Sequence, residues 1–159
     1  PVVDDELKLL GIITNRDMRF ITDMSLRISD VMTKSVVSVD SSMNVNEAAK
    51  MMEDAKVGAI IAMENNTPVG IVTDRDFSAK IVAHAYPITT PVKQIMSSPM
   101  FSVGSDDSVR SAADLMHERG IRKLPVIDND KEETKDLESK NPNYNRFISE
   151  SSNKICDIS

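Results

Sequence analysis

One cysteine and two histidines stand among the 159 residues. With a single thiol, Cys156, no intrachain disulfide framework is possible, and the usage fits a reducing compartment. Lys154 is the only basic residue close to Cys156 in sequence, too little to mark a catalytic nucleophile. His84 and His117 are far apart, each on an expected helix, with no cysteine or carboxylate at metal-ligand spacing. Both read as helix surface, so no metal site is expected. Basic residues are outnumbered, 19 Lys and Arg against 25 Asp and Glu, which leaves a net charge of −6 and a pI near 4.9. That balance argues against a nucleic-acid binder, which needs a basic face, though not against a small anion held by one or two arginines. No apolar run approaches the roughly 18 residues of a membrane span, and the N-terminus is acidic where a signal peptide is basic. The expectation is a cytoplasmic chain that neither enters nor crosses a membrane and carries no catalytic residue.

What the chain does contain is repetition. Gly11-Ile-Ile-Thr-Asn-Arg-Asp17 returns as Gly70-Ile-Val-Thr-Asp-Arg-Asp76, a shift of 59 residues. Each copy is a short apolar run ending in a hydroxyl, a cation and a carboxylate. A buried strand that delivers Thr, Arg and Asp to a helix start offers N–H groups to a phosphate and a carboxylate to a sugar diol. The same Thr-x-x-Asp pattern is also a capping-box variant, in which hydroxyl and carboxylate serve the helix itself. Two stations in one short chain favour a pair of nucleotide-binding motifs over one catalytic centre.

A second match, at a shift of 64, lays Ile28–Met63 on Val92–Ile127 without a gap. Met32 meets Met96, Ser41 meets Ser105, Ala48-Ala49 meets Ala112-Ala113 and Met52 meets Met116. Val45, Ala48, Ala49 and Met52 fall at i, i+3, i+4 and i+7, the stripe of a helix burying one face. Asn44 and Glu47 fit its N-cap and the acid three positions on. These segments are scaffolding, and their methionines belong to a core.

The two repeats define the organisation. A complete unit, 25–85, has an extended lead-in, a helix over 45–55, a strand over 58–63, a turn over 64–68, a strand over 69–72 and a helix over 75–84. Residues 1–24 repeat only the back half of that unit and residues 92–130 only its front half. Tyr86–Pro91, with two prolines, is the linker. Residues 131–159 are charged and polar, with too few apolar positions for a core stripe, and read as a mobile tail.

The lead-in Ile28-Ser-Asp-Val-Met-Thr33, the following helix and the Gly-h-h-Thr-x-x-Asp ending resemble the cystathionine-β-synthase-type (CBS) domain, which works in pairs as a Bateman module. The likeness covers about 130 residues. Residues 1–34 most resemble the CBS insert of inosine monophosphate dehydrogenase, and residues 35–130 are more like stand-alone prokaryotic CBS proteins. The third segment departs from the pattern by lacking its closing Gly-h-h-Thr-x-x-Asp, and the first by lacking its opening. The fold implied is α/β, in α+β layers: tandem CBS motifs related by pseudo-twofold symmetry, with short sheets packed on paired helices.

The resemblance also implies a site. In CBS pairs an adenosine ligand lies between two motifs, the Asp of one accepting the ribose hydroxyls and its Thr facing ribose or phosphate. The matching positions are Thr14 with Asp17, and Thr73 with Asp76. The base edge would meet backbone at Val36-Val37 for the first station and at Met100-Phe101 for the second. Val57-Gly58 and Arg122-Lys123 would pack nearby, Gly58 allowing close approach of backbone to ligand. Arg16, Arg75, Arg122 and Lys123 could neutralise phosphates. Asp17 is expected near Val36-Val37 whether residues 1–24 precede the complete unit as a motif of their own or complete 92–130. The Asp76 station needs 92–130 to dock on the complete unit.

The function implied is a regulatory module that senses AMP, ADP, ATP or S-adenosylmethionine, with no cofactor required. The alternative is a ligand-free structural or dimerisation module, or a regulatory fragment of an inosine monophosphate dehydrogenase-like enzyme. The dehydrogenase chemistry itself belongs to a barrel of about 250 residues, for which there is no room. Because 92–130 ends without a following strand, it should leave an apolar sheet edge open. Completion by 1–24, in the same chain or from a second one, would cover it, and a homodimer is expected.

Overall fold

A computed structural model of the chain describes residues 7–129. The elements in order are β1 (Leu7–Thr14), α1 (Asn15–Met18), α2 (Ile28–Val31), β2 (Ser38–Asp40), α3 (Val45–Ala55), β3 (Ala59–Glu64), β4 (Thr67–Thr73), α4 (Asp74–Asp76), α5 (Val109–Arg119) and β5 (Lys123–Asn129). A π-helical stretch, Phe77–Val82, continues α4, and a 3₁₀ turn spans Val92–Gln94. The tail expected to be mobile and Cys156 lie outside the described residues.

The apolar stripes form helices where their spacing predicts. α3 and α5 each run 11 residues and bury equivalent side chains: Val45, Ala48 and Met52 in one, Val109, Ala112 and Met116 in the other. Both stop on a left-handed residue, Lys56 at φ 54° and Gly120 at φ 62°. Their starts differ. Ser108 accepts a bond from the Ser111 N–H, whereas Asn44 makes no side-chain cap bond, contrary to the sequence expectation. The hairpin joining β3 to β4 turns on Asn65 and Asn66, both at positive φ, as a two-residue primed turn requires. The helix expected over 75–84 is present but widens to π geometry after Asp76; there the Ser78 hydroxyl donates to the Arg75 carbonyl and competes for an acceptor of the helical ladder.

Two sheets result. In one, β2 runs parallel to β3 and β3 antiparallel to β4. In the other, β1 pairs antiparallel with β5, Thr14 opposite Lys123 and Leu7 opposite Asn129. Residues from the two ends of the described chain thus form one hairpin-like sheet without a hairpin. A parallel bridge from Val103 to Val126 gives this sheet the counterpart of β2. The edge expected to stay open on the front half is covered within the same chain, so it makes no demand for a second copy.

The lead-ins, expected as extended chain, are helical turns, and each is buried in the other unit. Val92 and Ile95 join Val39, Val45, Ala48, Met52, Ile60, Ala62 and Val72 in one buried cluster. Ile28 joins Ile13, Val103, Ala112, Met116, Leu124 and Val126 in the other. Backbone bonds repeat the exchange in both directions. The Ile28 and Ser29 N–H groups donate to the Asp107 and Ser105 carbonyls, and those of Val92 and Lys93 donate to Met43 and Ser41. Ile12 and Thr33 exchange two bonds, as do Ile71 and Ser97. Contacts that run identically in both directions define a pseudo-twofold.

The repeated glycines lie where this exchange is tightest. A Cβ on Gly11 would stand 2.7 Å from the Thr33 carbonyl oxygen and 2.8 Å from Met32 Sδ; one on Gly70 would stand 2.5 Å from Met96 Sδ. Absence of a side chain lets each lead-in close on the strand beside it. One polar contact is also duplicated: Ser41 donates to Glu64 and Ser105 to Asp128, fixing the loop after the lead strand in each unit. Nearby turns hold the exposed Asp23 and Asp40 carboxyls below the usual carboxylate range, through the hydroxyls and N–H groups of Ser25 and Ser42.

Two outcomes are expected. Ile28→Ala empties a fully buried position and should cost about 2–5 kcal/mol. Because the lead-ins are exchanged, urea unfolding followed by circular dichroism and by hydrogen exchange in the α3 region should still give one transition, even though the lesion lies in the α5 cluster. Two separated transitions would show independent units. At the helix ends, Gly120→Ala should lose about 1–2 kcal/mol to left-handed strain, since nothing lies within 4 Å of its added methyl. Lys56→Gly, at the equivalent position, should gain about 0.5–1 kcal/mol in the same titration.

Candidate functional site

Strands β1 and β4 deliver the two Thr-x-x-Asp stations to matching places, each at the start of a short helix. At the first, the Thr14 N–H and hydroxyl both donate to Asp17 Oδ2, at 2.8 and 2.7 Å, and the Asp17 N–H donates back to Thr14 Oγ1 at 3.3 Å. At the second, the Thr73 N–H and hydroxyl donate to Asp76 Oδ2 at 2.8 and 2.9 Å. The capping arrangement allowed by sequence is therefore built at both stations. It engages one oxygen of each carboxylate.

The helix-start N–H groups that sequence offered to a phosphate are partly engaged. Asn15 donates to the Arg122 carbonyl and Asp74 to the Gly58 carbonyl, tying each station to the residue just before the antiparallel strand paired with its own, β5 or β3. These bonds fix the direction of the carboxylates and lessen the appeal of either helix start as an anion cradle.

The second oxygens differ. Asp76 Oδ1 lies 2.9 Å from Lys80 Nζ, and the same ammonium donates to the Ile95 carbonyl at 2.5 Å. Asp17 Oδ1 receives no hydrogen bond or ion pair among the described residues. Lys80 was not among the residues singled out from sequence. Its i,i+4 spacing from Asp76 on an expected helix was the available signal.

The remaining candidates are distributed around these stations. Arg16 and Arg75 are exposed and enter no ion pair among the described residues. Lys123 does not stand free: it donates to the Gly58 carbonyl at 2.5 Å and lies 3.7 Å from Asp74 Oδ1. A Cβ on Gly58 would come within 3.0 Å of that ammonium, so the space beside the glycine holds Lys123 here. Val37 and Val57 pack on the first core cluster, and Phe101 on the second with the Arg119 guanidinium 4.8 Å above its ring. Val36 and Met100 are half-buried and Arg122 is exposed. The Val37 carbonyl accepts from the Ile61 N–H, but at the equivalent place Pro125 has no N–H to give Phe101. The structure thus joins Thr14 to Asp17, Thr73 to Asp76, and Gly58 to Lys123 and Asp74. No side-chain hydrogen bond joins either aspartate to the lead-strand residues Val36, Val37, Met100 or Phe101.

His84 and His117 are exposed, His84 stacking on Tyr86. Among the described residues no group of three or more His, Cys, Asp or Glu could hold a metal, and no helix is long and apolar enough to cross a membrane.

The exchanged lead-ins and the paired strand-to-helix stations have a counterpart in sequence. The family model for the CBS domain matches residues 28–83 and 92–134, more than half of the chain. The chain belongs to the CBS-domain family. It is similar to the CBS domain-containing protein YhcV of Bacillus subtilis, 35% identical over 101 residues that cover 64% of this chain and 72% of that one. It is also similar to the inosine-5′-monophosphate dehydrogenase of Staphylococcus epidermidis, 31% identical over 131 residues. That match takes in 80% of this chain but spans only 26% of the enzyme. Among solved structures, the CBS domain protein PAE2072 of Pyrobaculum aerophilum, determined in complex with AMP, has the same fold, with a TM-score of 0.56 and 23% identity over 65% of this chain and 87% of that one.

The capping contribution can be measured directly. Thr14→Val keeps the shape of the side chain and removes its hydroxyl. It should lower stability by about 1 kcal/mol, read as a lower melting temperature without ligand.

Proposed function

We propose that this CBS pair is a regulatory module that binds an adenine nucleotide or a related adenosyl compound, with AMP, ADP, ATP and S-adenosylmethionine as candidates. The observation that carries the reading is the Asp17 carboxylate. Thr14 orients it through Oδ2, and Oδ1 receives no bond among the described residues. A carboxylate held in this way suits a pair of ribose hydroxyls, which can each donate a charge-assisted bond to it. That a family member of the same fold was determined with AMP supports the choice of ligand class.

In this reading the adenine edge meets backbone at Val36-Val37, with Val57 and Gly58 beside it, and Arg16 is the cation nearest in sequence to the phosphates. Occupancy would be passed on through the packing of one unit on the other, because the lead-ins tie both cores together. No residue is assigned a catalytic role. The likeness to the dehydrogenase favours a regulatory setting, as a free-standing protein or as part of a larger enzyme. A homodimer belongs to the same proposal, supported by Val82, Tyr86 and Ile88, which stand exposed on one segment.

The competing reading is a ligand-free structural module, supported by the complete capping box at Thr14 and Asp17. Calorimetric titration of the wild-type chain with AMP, ATP and S-adenosylmethionine separates the two. The sensor reading expects saturable binding to at least one of them. Asp17→Ala should then weaken that binding by about 10- to 100-fold, the effect of losing a charged hydrogen bond of about 1.5–3 kcal/mol. Asp17→Asn, which keeps an acceptor for Thr14, should weaken binding with a smaller loss of melting temperature. No binding of any of the three at millimolar concentration would leave the structural module as the function.

A further inference from the structure

The two stations share a sequence, Arg16 returning as Arg75, but two lysines beside the second have no repeat at the first. Lys80 holds Asp76 Oδ1 at 2.9 Å while donating to the Ile95 carbonyl. The residue at the equivalent place after Asp17, at the shift of 59, is Ile21, which has no charge. Lys123 lies against Asp74 and the Gly58 carbonyl beside the second station. Its own repeat equivalent, at the shift of 64, is the buried Ala59. Both lysines therefore stand at the Asp76 station, and neither has a counterpart at Asp17.

The consequence for a diol is direct. A ribose presents two O–H donors and needs carboxylate lone pairs facing it. At Asp76 three donors already point at the carboxylate: the Thr73 N–H, the Thr73 hydroxyl and the Lys80 ammonium. The Asp76 side chain is only 13% exposed, so water weakens this pair less than it would a surface ion pair. Lys80 is also fixed at a second point. Ile95 is fully buried in the lead-in turn, and withdrawing the ammonium would take a donor from its carbonyl.

Resting on the nucleotide reading of the Asp17 station, we infer that Lys80 closes the Asp76 station, so that the module takes one adenine nucleotide per chain, at Asp17. Lys80 is a specificity-determining residue: it removes one of two symmetry-related sites without touching the ligand at the other. The pair of motifs is thereby a single-site sensor in which the closed half acts as scaffold.

Equilibrium dialysis and calorimetry with AMP test this. The wild-type chain should bind one AMP. Lys80→Met keeps the aliphatic stem and removes the charge, and should raise the stoichiometry to two; Lys80→Gln serves as a second variant should the first melt below the assay temperature. Asp17→Asn should weaken the wild-type site at least tenfold. Asp17→Asn combined with Lys80→Met should restore a single site of near wild-type strength, now at Asp76. Two AMP bound by wild type would overturn the inference and leave the nucleotide reading intact. Loss of affinity in Lys80→Met would also overturn it, by showing that the ammonium serves the ligand and not the carboxylate. Absence of binding of AMP, and of ATP and S-adenosylmethionine in the same assay, in wild type and in both Lys80 variants would remove the nucleotide reading, and the inference with it.

Discussion

Everything in this molecule depends on the exchange of the two lead-in turns. Neither unit closes its own core. Val92 and Ile95 fill a space between α3 and the β2–β3–β4 sheet, and Ile28 fills the matching space under α5. A turn of three or four residues has no stability of its own. Here it is held by apolar burial on one side and by paired backbone bonds to the partner unit on the other. Gly11 and Gly70 follow from this constraint, because any side chain at either position would meet the lead-in. The exchange also couples the packing of one unit to that of the other.

The same constraint explains how residues 7–14 and 123–129 come to share a sheet. Ile28 shares one buried cluster with Ile13 of β1 and Leu124 of β5, and the antiparallel ladder from Thr14–Lys123 to Leu7–Asn129 completes the unit. A strand edge that would otherwise stay exposed is paired within the chain. The station that ends β1 is therefore placed by contacts with both termini of the described region and with the lead-in from the middle.

At the stations, one set of atoms serves two purposes. Thr14 and Thr73 cap short helices that could not persist unaided, and in doing so they orient Asp17 and Asp76. Capping and ligand binding are compatible because a carboxylate has two oxygens and capping engages only one. What distinguishes the stations is the second oxygen, and so a lysine one turn further along. Symmetry of the backbone does not guarantee symmetry of chemistry.

The order and spacing of apolar residues in sequence were enough to determine α3 and α5, the two-strand runs on either side of Asn65-Asn66, and the equivalence of the halves at shifts of 59 and 64. Such features rest on local periodicity and turn chemistry, which neighbouring residues settle among themselves. The Thr-x-x-Asp pairs were legible for the same reason, being contacts three residues apart. Tertiary structure alone decided that each lead-in is a helical turn buried in the other unit, that β1 completes the front half in the same chain, and that Lys123 sits on Gly58. It also settled that Asn44 leaves its helix uncapped and that Lys80 reaches both Asp76 and the Ile95 carbonyl. Those outcomes join residues 15 to more than 100 positions apart, or choose among partners that local spacing allows equally. Long-range burial makes that choice, since only the assembled core says which side of a turn is dry and which carbonyl is left within reach of an ammonium.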